Sequence, residues 1–237
     1  MRTLGVIPAR GGSKGIPHKN LALVGGRPLL AYTAEACRQS TTLTRVIVST
    51  DDEEIAAAAR ALGLDVPFQR PAALAADETP MLPVVQHALA GMREAGFAAD
   101  VVVLLQPTSP LRRGDHIDDA VALLAQSGAD SIVSVVEVPH QFNPVSVMRL
   151  DGERLRPFLD APTLAGRQSK PRLFARNGPA VLAVRASVVA AGSLYGDDCR
   201  PLLMSAEDSI DIDTPWDLAL AELVLASRRR APASNSR

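Results

Sequence analysis

The sequence predicts an α/β fold, a mostly parallel sheet flanked by helices, and three observations carry that expectation. Short runs rich in Val and Ile alternate with longer segments of helical period. Turn residues, chiefly Gly, Pro and Asp, close the runs. The hydrophobic share is 47% but the aromatic share only 3%, so the core is built from Ala, Val, Leu and Ile. At 237 residues the chain is long enough to bury such a core without covalent staples.

In chain order, strands are expected at Thr3–Pro8, Arg45–Thr50, Val101–Leu105 and Ser131–Val136. Between them, Leu30/Ala34/Cys37, Ile55/Ala59/Leu62, Val84/Val85/Ala88/Leu89/Met92 and Ile117/Val121/Leu124 fall at spacings that put apolar groups on one helical face. Asp51, Asp115 and Thr214 stand where helix N-caps belong. Pro215 then opens a last helix expected to turn Trp216, Leu220, Leu223 and Val224 inward. From about 139 to 176 the pattern degrades, with prolines at 144, 157, 162 and 171 and one expected strand, Val145–Leu150. This reads as an excursion from a single domain over 1–230, an arm suited to a partner subunit, and 231–237 read as a flexible tail.

Lys+Arg 25 against Asp+Glu 26 gives a net charge of −1, so no sequence-independent pull toward nucleic acid or an anionic membrane is expected. Scarce aromatics argue against a base-stacking single-strand binder. Cys37, at an apolar helical position, and Cys199, in a Gly/Asp-rich stretch expected to be a loop, read as free thiols in a reducing, cytoplasmic setting. No stretch approaches the length of a membrane-spanning run.

The first strand leads into Pro8-Ala9-Arg10-Gly11-Gly12-Ser13-Lys14-Gly15-Ile16-Pro17-His18-Lys19-Asn20. Ligands of open α/β sheets bind at the carboxyl ends of strands. Glycines let backbone N–H groups approach phosphate oxygens, and Arg10, Lys14 and Lys19 supply concentrated positive charge. The spacing fits neither common phosphate template: five residues beyond Gly11 stands Ile16 and five beyond Gly12 stands Pro17, and Gly-x-Gly-x-x-Gly is absent. A second strand end carries Gln106-Pro107-Thr108-Ser109-Pro110-Leu111-Arg112, where prolines stiffen a turn bearing an amide and hydroxyls. In Asp208-Ser209-Ile210-Asp211-Ile212-Asp213-Thr214, Asp211 and Asp213 alternate with isoleucines. On an extended segment both carboxylates face one way and can hold a hard cation, Mg²⁺ or Mn²⁺, although Asp213 could equally assist the cap of the last helix.

These blocks, with Ser49-Thr50-Asp51 and Arg176-Asn177-Gly178, resemble the N-acylneuraminate cytidylyltransferases, the CMP-sialic acid synthetases, over nearly the whole chain. The resemblance implies a Rossmann-like fold of the nucleotide-diphospho-sugar transferase type and a homodimer. It also implies a reaction of CTP with a 2-keto-3-deoxy sugar acid that yields a CMP-sugar and pyrophosphate. By the same resemblance CTP is met by Arg10, Gly11, Gly12, Ser13, Lys14 and Lys19 at the phosphates and by Asn20, Arg70 and Thr79 at the nucleoside. Gln106, Arg167 and Asn177 match sugar-side positions, and Arg10, Lys19 and Arg167 are the catalytic matches. The sequence departs from the family after Asn177-Gly178, which runs into Pro179-Ala180-Val181-Leu182 without the usual tyrosine, so a different sugar pocket is expected. Neuraminate, legionaminate, pseudaminate and related acids stay open. The alternatives are a CMP-Kdo synthetase, a glycosyltransferase with Asp211 and Asp213 on a sugar nucleotide's metal, and a non-catalytic nucleotide-binding module.

Overall fold

The computed structural model describes residues 1–12, 15–159 and 170–230. The chain begins with β1 (Thr3–Pro8), a single 3₁₀ turn at Lys19–Leu21 and a small hairpin of β2 (Leu23–Val24) and β3 (Arg27–Pro28). Then come α1 (Leu29–Gln39), β4 (Arg45–Ser49), α2 (Glu53–Ala61), α3 (Met81–Glu94), β5 (Val101–Leu104), α4 (Gly114–Ser127) and β6 (Ser131–Glu137). A separate hairpin of β7 (Met148–Asp151) and β8 (Arg154–Pro157) precedes β9 (Phe174–Arg176), β10 (Leu182–Arg185), α5 (Ala186–Ala190), β11 (Cys199–Leu203) and α6 (Pro215–Arg230).

The main sheet has the order β11-β6-β10-β5-β1-β4, with β9 also on β6. β1 is parallel to both β4 and β5, and β11 is parallel to β6. β10 runs antiparallel between β5 and β6, so the sheet is mostly parallel with one reversed central strand. β9 and β10 lie in line along one edge of β6, on Val135–Glu137 and Ser131–Val133 respectively. The chain between them, 177–181, therefore passes Ser134.

Successive residues of a strand face opposite sides, so a sheet covered on both faces needs unbroken apolar runs rather than alternation. Ile7 and Val103 pack on one side with Leu30, Cys37, Ile55, Ile117 and Leu124 of α1, α2 and α4. Val6 and Leu104 pack on the other with Val85, Met92 and Val189 of α3 and α5. A third cluster, Val24, Leu29, Tyr32, Leu111, Ile212 and Ala221, seats α6 against the first hairpin and α1.

Five local expectations are corrected. The cap of α2 is Asp52, whose Oδ1 accepts from the Ile55 amide at 2.9 Å, while Asp51 turns to the glycine loop. α4 begins at Gly114, which puts Asp115 in its first turn. The arm's strand starts at Met148, not Val145, because it forms a hairpin with Arg154–Pro157, and Cys199 is an exposed residue of β11. In α6 the face that docks is Leu218, Ala221, Val224 and Leu225, leaving Trp216 at 73% and Leu223 at 67% exposure. Leu220 is exposed as well. The helix carries apolar residues on two faces, and only small Ala221 allows close approach to the first hairpin. The Thr214 cap is as expected: its Oγ1 accepts from the Asp217 amide, and Asp217 Oδ2 accepts from the Thr214 amide at 2.7 Å.

One carboxylate ties the helices on the first face together. Asp118 Oδ1 accepts from Ser40 Oγ at 2.5 Å and Thr42 Oγ1 at 2.7 Å, and its Oδ2 accepts from the Thr41 amide at 2.9 Å and Thr41 Oγ1 at 2.8 Å. Burial alone would raise its pKa, but these bonds outweigh burial and hold the carboxyl far below the usual carboxylate range. A depressed folded-state pKa stabilises above the unfolded carboxylate value, about 3.9, and that contribution is lost as pH falls toward the folded value. Asp118→Ala is expected to lower unfolding free energy by about 2 kcal/mol at neutral pH. Urea melts should show the gap between wild type and variant closing as pH is lowered below about 4.

Candidate active site

A cavity of about 520 Å³ opens at the carboxyl ends of β1 and β5. Its wall gathers Arg10, Gly12, Lys19 and Asn20 from the loop after β1, Arg70 and Thr79 from the segment before α3, Gln106 and Thr108 from the loop after β5, and Asp211 and Asp213. Most of the site residues expected from sequence are thus brought together from four separate stretches of chain. Leu74, Met81 and Val84 add an apolar side. Ser13, Lys14 and Arg167 lie outside the described residues.

The glycines of the loop do more than expose backbone. A Cβ on Gly11 would stand 2.4 Å from Asp52 Oδ2, and one on Gly15 would stand 2.6 Å from the Asp213 carbonyl oxygen. Neither place admits a side chain, so these two glycines let the loop lie directly on the start of α2 and on the acidic segment. Gly11 N–H donates to Asp51 Oδ1 at 3.2 Å, which orients Gly11 toward the strand end rather than the cavity. Asn20 Nδ2 donates to the Arg10 carbonyl at 2.9 Å and closes the loop on itself. Arg10 Nη2 meets Asp77 Oδ1 at 2.8 Å at the cavity mouth. Asp77 was not expected from sequence, and an Asp in the alanine-rich stretch 72–77 carries no pattern that would mark it.

Arg70 is buried and donates through Nε to Ser49 Oγ at 3.1 Å and through Nη2 to the Ser49 carbonyl. Burial pulls its pKa down to about 10, Asp51 pulls it up and Arg10 adds to the fall. It stays a cation at neutral pH, fixed at the end of β4.

The acidic segment crosses the cavity floor. Lys19 Nζ donates to the Ile212 carbonyl at 2.9 Å and to Asp213 Oδ1 at 2.8 Å, and the Ile212 amide donates to the Thr108 carbonyl at 2.8 Å. Asp211 is half-buried, and its Oδ1 is buried without a hydrogen-bond partner among the described residues. Burial pushes its carboxyl up; the Thr108 hydroxyl beside it lowers it and the Asp213 charge raises it again. Among the described residues no group of three or more His, Cys, Asp or Glu forms a ligand cluster; the acids here are a pair. An orphaned buried carboxylate oxygen beside a second carboxylate fits a hard cation such as Mg²⁺, which takes one or two carboxylates and completes its shell with water and phosphate.

On the far side of the cavity Gln106 Nε2 donates to the Gly178 carbonyl at 2.9 Å. Beneath it the buried Arg112 donates through Nη1 to the carbonyls of Gln106 at 3.0 Å and Ala180 at 2.8 Å, and through Nη2 to Thr33 Oγ1 at 2.7 Å. Asn177 is placed differently from the sequence expectation. Its Oδ1 accepts from Ser134 Oγ at 2.5 Å, and its Nδ2 donates to Ser209 Oγ at 2.8 Å and lies 3.4 Å from Met204 Sδ. The amide is 5% exposed and absent from the cavity wall, so here it fastens the gap between β9 and β10 to β6 and to the acidic segment.

Cations on a glycine loop, opposite paired carboxylates at one end of an α/β sheet, are the groups that nucleotidyl transfer uses. Comparison with known proteins narrows the class. The cytidylyltransferase family model matches residues 4–151. The chain is 36% identical over 234 residues to the CMP-N,N'-diacetyllegionaminic acid synthase of Legionella pneumophila, covering 98% of this chain and 99% of that protein. It is 34% identical to the N-acylneuraminate cytidylyltransferase of Escherichia coli O18:K1:H7, over 97% of this chain and 54% of that longer protein. A solved CMP:2-keto-3-deoxy-manno-octonic acid synthetase complexed with CTP shares the fold, with a TM-score of 0.72, 19% identity, and coverage of 96% of this chain and 100% of that one. The chain belongs to the cytidylyltransferase family.

Asn177→Ala would leave the buried Ser134 hydroxyl without its acceptor and the half-buried Ser209 hydroxyl without its donor. Thermal or urea melts are expected to show a loss of about 2 kcal/mol. An unchanged melt with altered substrate affinity would instead return Asn177 to the ligand side.

Proposed function

We propose that the protein transfers CMP from CTP to the anomeric hydroxyl of a nonulosonic, sialic-type acid, giving the CMP-sugar and pyrophosphate with Mg²⁺. The observation that carries this reading is Lys19, which joins the glycine loop to Ile212 and Asp213 and so puts phosphate-binding cations and paired carboxylates in one cavity. The 36% identity to a CMP-N,N'-diacetyllegionaminic acid synthase over nearly both full lengths makes that sugar acid the first acceptor to test.

In this reading the anomeric oxygen gives up its proton to solvent and forms a bond to the α-phosphorus, while the bond from that phosphorus to the oxygen joining it to the β-phosphorus breaks and that oxygen leaves with pyrophosphate. Catalysis is positioning and charge neutralisation, with no covalent enzyme intermediate. Arg10 and Lys19 offset phosphate charge, Lys19 at the α-phosphate and Arg10 toward the leaving group. Ser13, Lys14 and Gly12 serve the phosphates as the family resemblance implies, while Gly11, its amide taken by Asp51, lets the loop lie on the start of α2. Asn20, Arg70 and Thr79 hold the nucleoside against the Leu74 and Met81 side of the cavity. Gln106 meets the sugar acid, and the family resemblance gives Arg167 the same part. Asp211 and Asp213 would hold Mg²⁺, which when bound supplies neutralising charge to phosphate oxygens.

One catalytic domain over 1–230 with an arm at about 139–176 is part of the same proposal, and the arm joins two copies. Met148, Leu150, Leu155 and Phe158 are exposed on or beside the β7–β8 hairpin, Leu150 at 77%. A lone two-stranded hairpin is marginal in water, and apolar groups spread along it call for a covering surface. A cytoplasmic setting is proposed as well, supported by the free thiols of Cys37 and Cys199.

Pyrophosphate release with CTP and Mg²⁺ should appear with one of N-acetylneuraminate, diacetyllegionaminate, pseudaminate, ketodeoxynonulosonate or Kdo, and Asp211→Ala should abolish it with an unchanged circular dichroism spectrum. CTP binding without release on any acceptor would favour a non-catalytic module. Release with Kdo alone would favour the octulosonate enzyme. For the arm, sedimentation should give a dimer that Leu150→Asp with Leu155→Asp converts to a monomer; a monomeric, fully active wild type would reject it.

A further inference from the structure

A charged cluster that the proposed reaction leaves unused lies at the entry to the acidic segment. Asp208, three residues before Asp211, is 5% exposed. Its Oδ2 accepts from Arg113 Nη1 at 2.7 Å and from Ser205 Oγ at 3.0 Å, and its Oδ1 accepts from Arg228 Nη2 at 2.5 Å. His116 Nε2 lies 3.5 Å from Oδ2. Arg113 caps the start of α4 and Arg228 sits in the last turn of α6. One carboxylate therefore fastens two helices to the loop that follows β11.

The residues beyond it are held in sequence. Ser209 is bonded by Asn177. Past Asp213, the Asp217 Oδ2 at the other end of α6 accepts from the Asp213 amide at 3.1 Å and the Thr214 amide at 2.7 Å. The span that carries Asp211 and Asp213 is thus pinned at both ends to the same helix, once at its first turn and once at its last. Burying a carboxylate with two guanidinium partners is costly, and an apolar group would pack the same space without that cost. What the charged cluster adds is directional: three fixed donors around one carboxylate set where the span begins.

We propose that Asp208, locked by Arg113 and Arg228, is a positioning residue that sets the Asp211–Asp213 span for the divalent cation and couples α6 to the site. The inference rests on the metal role given to Asp211 and Asp213 under the proposed function. Its test therefore pairs a measurement on the protein alone with one on turnover. In Asp208→Asn the Ile212 amide, which donates to Thr108, should exchange with deuterium faster while β1 and β5 amides keep their rates. The Mg²⁺ concentration for half-maximal pyrophosphate release should rise about tenfold or more, with the KM for CTP at saturating Mg²⁺ little changed. Arg228→Gln should shift both in the same direction, and it carries the test if Asp208→Asn does not fold. A variant that melts earlier but keeps wild-type Ile212 exchange and Mg²⁺ dependence would overturn the proposal and leave Asp208 a stability element. Should the wild type release no pyrophosphate with any acceptor, the proposed function fails. Ile212 exchange, together with Mn²⁺ binding followed by electron paramagnetic resonance on the protein alone, then decides the Asp208 question.

Discussion

The site depends on one long-range contact, the Lys19 ammonium held between the Ile212 carbonyl and the Asp213 carboxylate, 193 and 194 residues away in sequence. Its side chain is 16% exposed while that of Asp213 is 73% exposed, so the cation is placed by the fold and the anion is open to solvent. An exposed surface pair would be worth little. Here the lysine also satisfies a backbone carbonyl, and the same stretch of chain is met by Gly15 from above and Thr108 from β5's side. Loop, acidic segment and strand end are therefore registered to one another by contacts within the chain.

Two buried arginines show how the rest of the cavity is kept in shape. Arg112 makes its hydrogen bonds to two carbonyls and a hydroxyl, with burial lowering its pKa to about 10 and the Cys37 thiol as its nearby titratable group. Desolvating a guanidinium costs several kcal/mol, and charge-assisted bonds each return about 1.5–3 kcal/mol. The balance is close to neutral, so net stability does not account for the residue. What it does is join the turn after β5 to the chain at 178–180, the two pieces that Gln106 bridges above it. Arg70 does the equivalent work at the end of β4, where its bonds to Ser49 leave a cation facing the cavity.

Sequence reading was strongest where one local rule decides. β1, β4, β5 and β6 match the expected runs to within a residue because each is a short apolar run covered on both faces, whereas β11, also parallel, is missed because its start at Cys199 reads as loop. In the cavity, glycine, cations and acids are legible by residue type, and Arg70 and Thr79 only through the family resemblance. It failed where a partner far along the chain decides. Reversal of β10 follows from where the chain returns after the arm, which no local pattern records. Asn177 lies in a stretch that looked like a ligand motif, yet Ser134, Met204 and Ser209 consume its amide. Asp51 and Asp52 are equally good capping residues by type, and the choice went to Asp52 because Asp51 is taken by the Gly11 amide.

α6 shows the same limit in its sharpest form. Its sequence carries two apolar stripes, and a periodicity argument has no means of ranking them, since Trp216, Leu220 and Leu223 are larger and more hydrophobic than Ala221. Docking selected the stripe with the small residue, because the helix must come close to the β2–β3 hairpin while Glu222 reaches the Gly25 amide at 2.9 Å and Arg228 reaches Asp208. Polar contacts at fixed distance thus set the rotation of the helix, and the apolar surface followed. The consequence extends to the site, for the rotation that exposes Trp216 is the one that brings Asp217 onto the amides of Asp213 and Thr214 and so fixes one end of the segment the cation would meet.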